Sequence, residues 1–191
     1  MMKKRTGVTV LLLMLTLMMV LVSGIPAQAA GKKKKAMKAY RKFLEQSPSD
    51  VMWGTVYLNK DSIPDLVTYT SLVPIGKPHV YTYRKNKVVA ASYSAASYCY
   101  SQYYKKKGVV VGAPIRKGDW EYDFKDYCSI DLKKTASGSY MNVKVIGSWE
   151  DGKYFRPDSK APAGRTQMKK SAFMKMLKKK VGNTKPKKIK Y

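Results

Sequence analysis

The chain has 191 residues, enough for one ordinary domain or two small ones, and its 38 Lys and Arg against 12 Asp and Glu give a formal charge of +26. A hydrophobic content of 45% with 12% aromatics is too rich for a disordered polycation, and the long apolar run is confined to the N-terminus, which excludes a polytopic membrane protein. A single histidine, His79, excludes multi-histidine metal sites and leaves one ring for any Ser-His or Cys-His catalysis.

Met1 to Arg5 are positively charged, Val8 to Val22 are apolar apart from Thr9 and Thr16, and Ala27-Gln28-Ala29 offers a small-x-small cleavage pattern. A membrane span needs about 20 apolar residues, and Ser23-Gly24-Ile25-Pro26 ends this run early. The pattern predicts a signal peptide over residues 1–29 and a secreted, extracellular product. Removing it takes three basic and no acidic residues, leaving a charge of +23. In an oxidising compartment Cys99 and Cys128 are expected to form one disulfide, closing a loop of about 30 residues and worth about 2–4 kcal/mol, the alternative being two separate buried thiols. Neither lies in a CxxC motif, which argues against redox catalysis.

After a basic leader at residues 30–35, Ala36, Ala39, Tyr40, Phe43 and Leu44 recur at helical spacing and predict an amphipathic helix, ended by Ser47-Pro48. Short β-branched and aromatic runs follow at Trp53–Leu58, Leu66–Leu72, His79–Arg84, Val88–Tyr93 and Tyr98–Tyr104, joined by hairpin-length connections. Strict alternation from Trp120 to Leu132 puts Phe124, Asp126, Cys128 and Ile130 on the core parity, and Tyr140–Trp149 reads as a further strand. Arg156–Gly164 reads as a proline-rich loop. Phe173, Met176, Leu177 and Val181 predict a second amphipathic helix over residues 170–181, with Lys178 to Lys180 at its negative end and Gly182 as cap. The expected fold is α+β: one antiparallel β-meander sheet packed by an N-terminal and a C-terminal helix, a single domain over residues 36–182, with a mobile basic tail at 183–191.

The segment Tyr57 to Val67, Y-L-N-K-D-S-I-P-D-L-V, resembles the Y-x-D-x-D-S-I-P-E-L segment of small secreted proteins of uncharacterised function from anaerobic bacteria. Ala39–Leu44, Val80–Val89 and Tyr103–Gly108 match in the same order. The resemblance covers about residues 36 to 111 and implies secretion and an α+β fold, with no activity attached. The same segment is similar to the calcium loops of dockerin and integrin-type repeat proteins, which places Asn59, Asp61 and Asp65 as candidate ligands of weakly bound Ca²⁺. Tyr57 stands where the leading aspartate belongs, Lys60 brings a cation beside the site, and no Glu closes the loop.

Glu121 and Asp123 lie on one strand face about 7 Å apart, a spacing at which carboxylates hydrolyse glycosides, although alternating acids on a basic protein serve first to balance lysines. Tyr98, Tyr100 and Tyr104 cluster in sequence beside Lys105, Lys106 and Lys107, a pairing of aromatic faces and cations suited to sugars, bases or phosphates. Lys185, Lys187 and Lys188 continue the basic theme in the tail. With 32 lysines and only 6 arginines, the charge is built for sequence-indifferent attraction rather than bidentate reading. The expected function is non-enzymatic, electrostatic association with anionic polymers of the cell envelope or matrix, without a cofactor and with nucleic acid bound only non-specifically. A weak calcium-dependent adhesion module and a carboxylate hydrolase are the alternatives.

Overall fold

The computed structural model describes residues 29–70, 78–93, 99–114, 123–133 and 143–191. Residues 1–28, over which a signal peptide is expected, together with Tyr98, Trp120-Glu121-Tyr122 and Tyr140, lie outside the described residues. Helix α1 covers residues 29–44. Then come β1 (Val51–Val56), β2 (Asp65–Thr70), β3 (Pro78–Arg84), β4 (Lys87–Tyr93), β5 (Cys99–Tyr104), β6 (Val109–Ala113), β7 (Phe124–Ile130), β8 (Val143–Glu150), β9 (Lys153–Pro157), β10 (Arg165–Met168), helix α2 (Lys170–Val181) and β11 (Pro186–Lys188). The strand pairings are antiparallel throughout, so the chain is α+β. No described helix is long and apolar enough to cross a membrane.

The expected single meander is divided into two sheets, one ordered β1-β2-β3-β4 and the other β10-β9-β8-β7-β6-β5-β11. Successive residues of a strand point to opposite faces, and here both faces are covered. In β2, Val67 enters a core shared with Val110, Cys128 and Ile130 of the second sheet, while its neighbour Leu66 meets Ala36 and Tyr40 of α1. In β6, Val110 joins that inter-sheet core, while Val109 and Val111 pack with Phe173, Leu177 and Val181 of α2. The layers therefore run α1, first sheet, second sheet, α2. This explains why the first five residues of β2 are all buried rather than alternating. Gly147 of β8 lets α2 approach closely: a Cβ there would stand 2.6 Å from the Phe173 ring, which also meets the rings of Tyr127 at 5.2 Å and Tyr154 at 5.0 Å.

Three further expectations are corrected. The stretch read as a loop from Arg156 overlaps β9, and β9 and β10 form a hairpin whose connection is organised by Asp158, the acceptor for Thr166 Oγ1 at 2.7 Å and the Lys160 amide at 3.1 Å. The basic tail is bound to the domain. Pro186, Lys187 and Lys188 pair with Tyr104, Tyr103 and Gln102, the Ile189 amide donates to the Ser101 carbonyl at 3.0 Å, and the Tyr191 hydroxyl donates to the Tyr100 carbonyl at 2.7 Å. A Cβ on Gly54 would lie 2.3 Å from the Lys190 carbonyl oxygen, so glycine is what allows the tail to cross β1. Proline and lysine are ordinary residues for such an edge strand, and they hid it from a search for apolar alternation.

The predicted disulfide is absent: Cys99 and Cys128 are both buried and are not bonded to each other. β6 separates their strands, with Cys99 opposite Ala113 and Cys128 opposite Val110. Two strand spacings and three residues of rise put them roughly 14 Å apart, twice the Cα separation of about 7 Å that a disulfide tolerates. Inward parity identified Cys128 as buried but carried no information about its distance from Cys99.

Two measurements follow from this architecture. Deleting residues 185–191 lowers the unfolding free energy by about 2–4 kcal/mol in urea titrations, through loss of the β11 ladder, the Tyr191 hydrogen bond and burial of Ile189; an unchanged midpoint would show a dispensable tail. Alkylation of freshly isolated protein, unfolded without reductant, labels both cysteines, and mass spectrometry reports two adducts.

Candidate functional site

Three of the described basic runs, at residues 105–107, 178–180 and 185–188, converge at one end of the second sheet. β5 and β6 are joined by the turn Lys105-Lys106-Lys107-Gly108, in which Lys106 and Gly108 take positive φ values of 61° and 63°. Backbone of the β1–β2 connection holds this turn: the Lys106 amide donates to the Tyr57 carbonyl at 2.7 Å and the Gly108 amide to the Leu58 carbonyl at 2.6 Å. Lys105 Nζ stands 5.7 Å from the centroid of the Tyr57 ring. On the other side, Pro186 pairs with Tyr104, the residue that opens the turn, which brings Lys185 and Lys187 beside it. Lys107 Nζ lies 3.7 Å from the position of a Cβ on Gly182, the residue that ends α2. There the Gly182 amide donates to the Lys178 carbonyl at 2.8 Å, and Lys178, Lys179 and Lys180 occupy the last turn, where the helix dipole favours cations.

Lys105 to Lys107, Lys178 to Lys180, Lys185, Lys187 and Lys188 are all exposed, and no acidic residue occurs after Asp158. The ion pairs between described residues use arginines, Arg156 with Asp158 and Arg165 with Glu150, and no described lysine is neutralised in this way. The cluster is a fixed array of free ammonium groups mounted on a turn, a helix end and a strand. Charges on neighbouring segments of this array reinforce one another wherever they come within a Debye length of roughly 8 Å.

Two of the three tyrosines expected to line this site, Tyr100 and Tyr104, are elsewhere. Tyr100 is 0% exposed in the inter-sheet core, and Tyr104 is 6% exposed in the cluster under α2, where burial pushes its hydroxyl pKa up. Neither offers a face to a ligand. Tyr57, which sequence reasoning assigned to a degenerate calcium loop, is the aromatic that meets the lysine turn.

The Asn59–Asp65 turn keeps its oxygens for itself. Asn59 Oδ1 accepts from the Asp61 amide at 2.9 Å, Asp61 Oδ1 accepts from the Ile63 amide at 2.9 Å, and Asn59 Nδ2 donates to Asp61 Oδ2 at 2.8 Å. These are self-contained Asx turns. Asp65 sits at the base of the turn, 1% exposed, with Oδ2 accepting from the Leu58 amide at 3.1 Å and Oδ1 without a hydrogen-bond partner. Asn59 and Asp61 outside and Asp65 inside do not form a ligand cage, and among the described residues no group of three His, Cys, Asp or Glu side chains is arranged to hold a metal. Burial raises the Asp65 pKa to about 7 against the opposing Leu58 amide and Thr82 hydroxyl, and the Asp61 charge raises it further.

Of the two carboxylates on the long strand, Glu121 lies outside the described residues. Asp123 is exposed, and its amide donates to Asp151 Oδ1 at 3.1 Å, closing the mouth of the β7–β8 hairpin. Asp126, noted for its core parity, has its pKa pushed up to about 6 by burial, with Arg165 opposing the rise and Glu150 adding to it. Arg165 is itself ion-paired with Glu150 and stacked 4.4 Å over the Phe155 ring. This cluster pins β10 against the β7–β9 strands.

No protein-family model matches the chain, and no curated protein or solved structure is significantly similar to it.

Asp65 generates a pH-dependent prediction. Its folded-state pKa of about 7 lies above the ordinary aspartate value of 3.8, so its contribution to stability is greatest below about pH 4 and is lost as pH rises through 7. Asp65→Asn keeps an acceptor for the Leu58 amide and removes the titration, so the variant gains stability relative to the parent between pH 4 and 7. Thermal unfolding of both proteins across that range checks this, and parallel curves would refute it.

Proposed function

We propose that this protein is an exported, non-enzymatic polycation that adheres to anionic polymers of the cell envelope or matrix. The observation that carries the reading is the convergence of three separate lysine runs, 105–107, 178–180 and 185–188, on one rigidly held end of the second sheet with no acid among the described residues ion-paired to them. Segments about 70 residues apart in sequence are folded into one field, and lysine, a mobile point charge, recognises anionic density rather than a particular group. The leader pattern of residues 1–29 supplies the route out of the cell, and a charge of +23 after its removal favours retention on an anionic surface.

Each lysine brought against a polyanion displaces condensed counterions, so binding weakens linearly in log affinity against log salt. Retention on an anionic polymer column across a salt series is the test. Replacing Lys105, Lys106 and Lys107 with Gln reduces the slope by about 2, at roughly 0.7 for each phosphate no longer neutralised on a flexible chain. Salt-insensitive binding to a neutral glycan, with none to polyanions, would overturn the reading.

A further inference from the structure

The lysine cluster at the end of the second sheet is one of two basic surfaces, and they face in opposite directions. α1 covers the outer side of the first sheet through Ala36 and Tyr40, which meet Leu66. The residues it turns away from the sheet, Lys32 to Lys35, Lys38, Arg41 and Lys42, are all exposed. α2 covers the outer side of the second sheet through Phe173, Leu177 and Val181, and exposes Lys170, Lys175 and Lys178 to Lys180. Between the helices lie two sheets about 10 Å apart, and each helix adds a layer about 10 Å thick, so the two basic faces are separated by on the order of 30 Å. That exceeds three Debye lengths of roughly 8 Å at physiological salt, so the faces act as independent fields.

We propose that the protein is bivalent: α1 and α2 each hold a separate strand of a linear phosphodiester polymer, and one molecule cross-links two polymer chains. This rests on the reading above and adds to it the number of sites and the class of polymer. Charge complementarity argues for the occupant. Lysine heads are phosphate binders of low geometric demand. The tyrosines that would have served as a base-stacking platform, Tyr100 and Tyr104, are interior, which favours a polymer whose charge lies on a baseless backbone over single-stranded nucleic acid. The two sheets hold the helices apart as a rigid spacer, so a single short chain cannot satisfy both faces at once.

The experiment mixes purified protein with poly(glycerol phosphate) of defined length and follows light scattering and sedimentation. The parent protein is expected to give a scattering maximum near charge balance that dissolves again in excess polymer, where each face finds its own chain. Replacing Lys34, Lys35, Lys38 and Lys42 with Gln, or Lys175, Lys178, Lys179 and Lys180 with Gln, is expected to leave soluble one-protein complexes at unchanged circular dichroism. A variant losing four charges split evenly, Lys35, Lys38, Lys175 and Lys179, is expected to retain cross-linking. Equal loss of scattering in all three variants would reduce the effect to net charge and overturn the proposal, as would soluble complexes with the parent protein. Tighter, salt-resistant binding to single-stranded DNA of equal charge would overturn the choice of polymer. Absence of any salt-dependent binding would instead defeat the underlying reading, so the two failures are distinct.

Discussion

The hydrogen bond from the Leu58 amide to the buried Asp65 carboxylate closes the connection of the β1–β2 hairpin and fixes the segment on which helix and both sheets meet. Asp65 opens β2 opposite Val56, the last residue of β1, and so closes the irregular connection between the two strands. With its amide held, Leu58 presents its carbonyl to the Gly108 amide, while Tyr57 receives the Lys106 amide, and the first sheet is stitched to a turn of the second. On the far side of the connection the Tyr40 hydroxyl donates to the Pro64 carbonyl at 2.9 Å, bringing α1 into the same knot. A carboxylate in such a place is costly, since it exchanges water for one amide and a neighbouring hydroxyl, and the raised pKa expresses that cost. The return is geometric: one side chain sets the relation of helix, sheet and sheet.

Four segments singled out in the sequence, residues 39–44, 57–67, 80–89 and 103–108, are the ones this knot uses. Tyr40 lies in the first, Leu58, Pro64 and Asp65 in the second, Thr82 in the third, and Lys106 and Gly108 in the fourth. The Asn-Lys-Asp-Ser-Ile-Pro-Asp string looks like a ligand loop because Asx turns and calcium loops draw on the same short oxygen side chains. In this chain the oxygens of Asn59 and Asp61 and Oδ2 of Asp65 are occupied by amides of the turn, and the string acts as a joint between layers. The lysine turn is mounted on that joint, which couples the placement of its charges to the integrity of the core.

What could be read from the sequence was local. The Lys85-Asn86 hairpin, whose two residues have φ of 47° and 60°, and the α2 boundaries with Gly182 as the positive-φ residue at the end, follow from residues within a few positions of one another. The division into two sheets depends on pairing choices that period-two alternation does not encode. Alternation assigns Tyr103 and Tyr104 to opposite faces, but both are buried because each face has a cover, one from the first sheet and one from α2. The candidate stacking tyrosines were misplaced for this reason, and the lysines were not: an ammonium group has to remain wet wherever the fold carries it. Their convergence at one end was invisible because β11, three residues of proline and lysine, lacks any apolar pattern.

The pairing of β11 with β5 also bears on the order in which the molecule assembles. β5 through β10 can build as successive hairpins, each closing a short loop, whereas the bond between Tyr191 and Tyr100 spans 91 positions. Loop closure over that distance carries an entropic cost that grows with the logarithm of its length, so the edge of β5 is the natural last position to be filled. Until then a row of unpaired backbone groups, flanked by Val109 and Tyr103, offers itself to any other extended chain. The equivalent strand of a second molecule fits that gap as well as the molecule's own, which makes strand exchange the characteristic misfolding hazard of this architecture at high concentration.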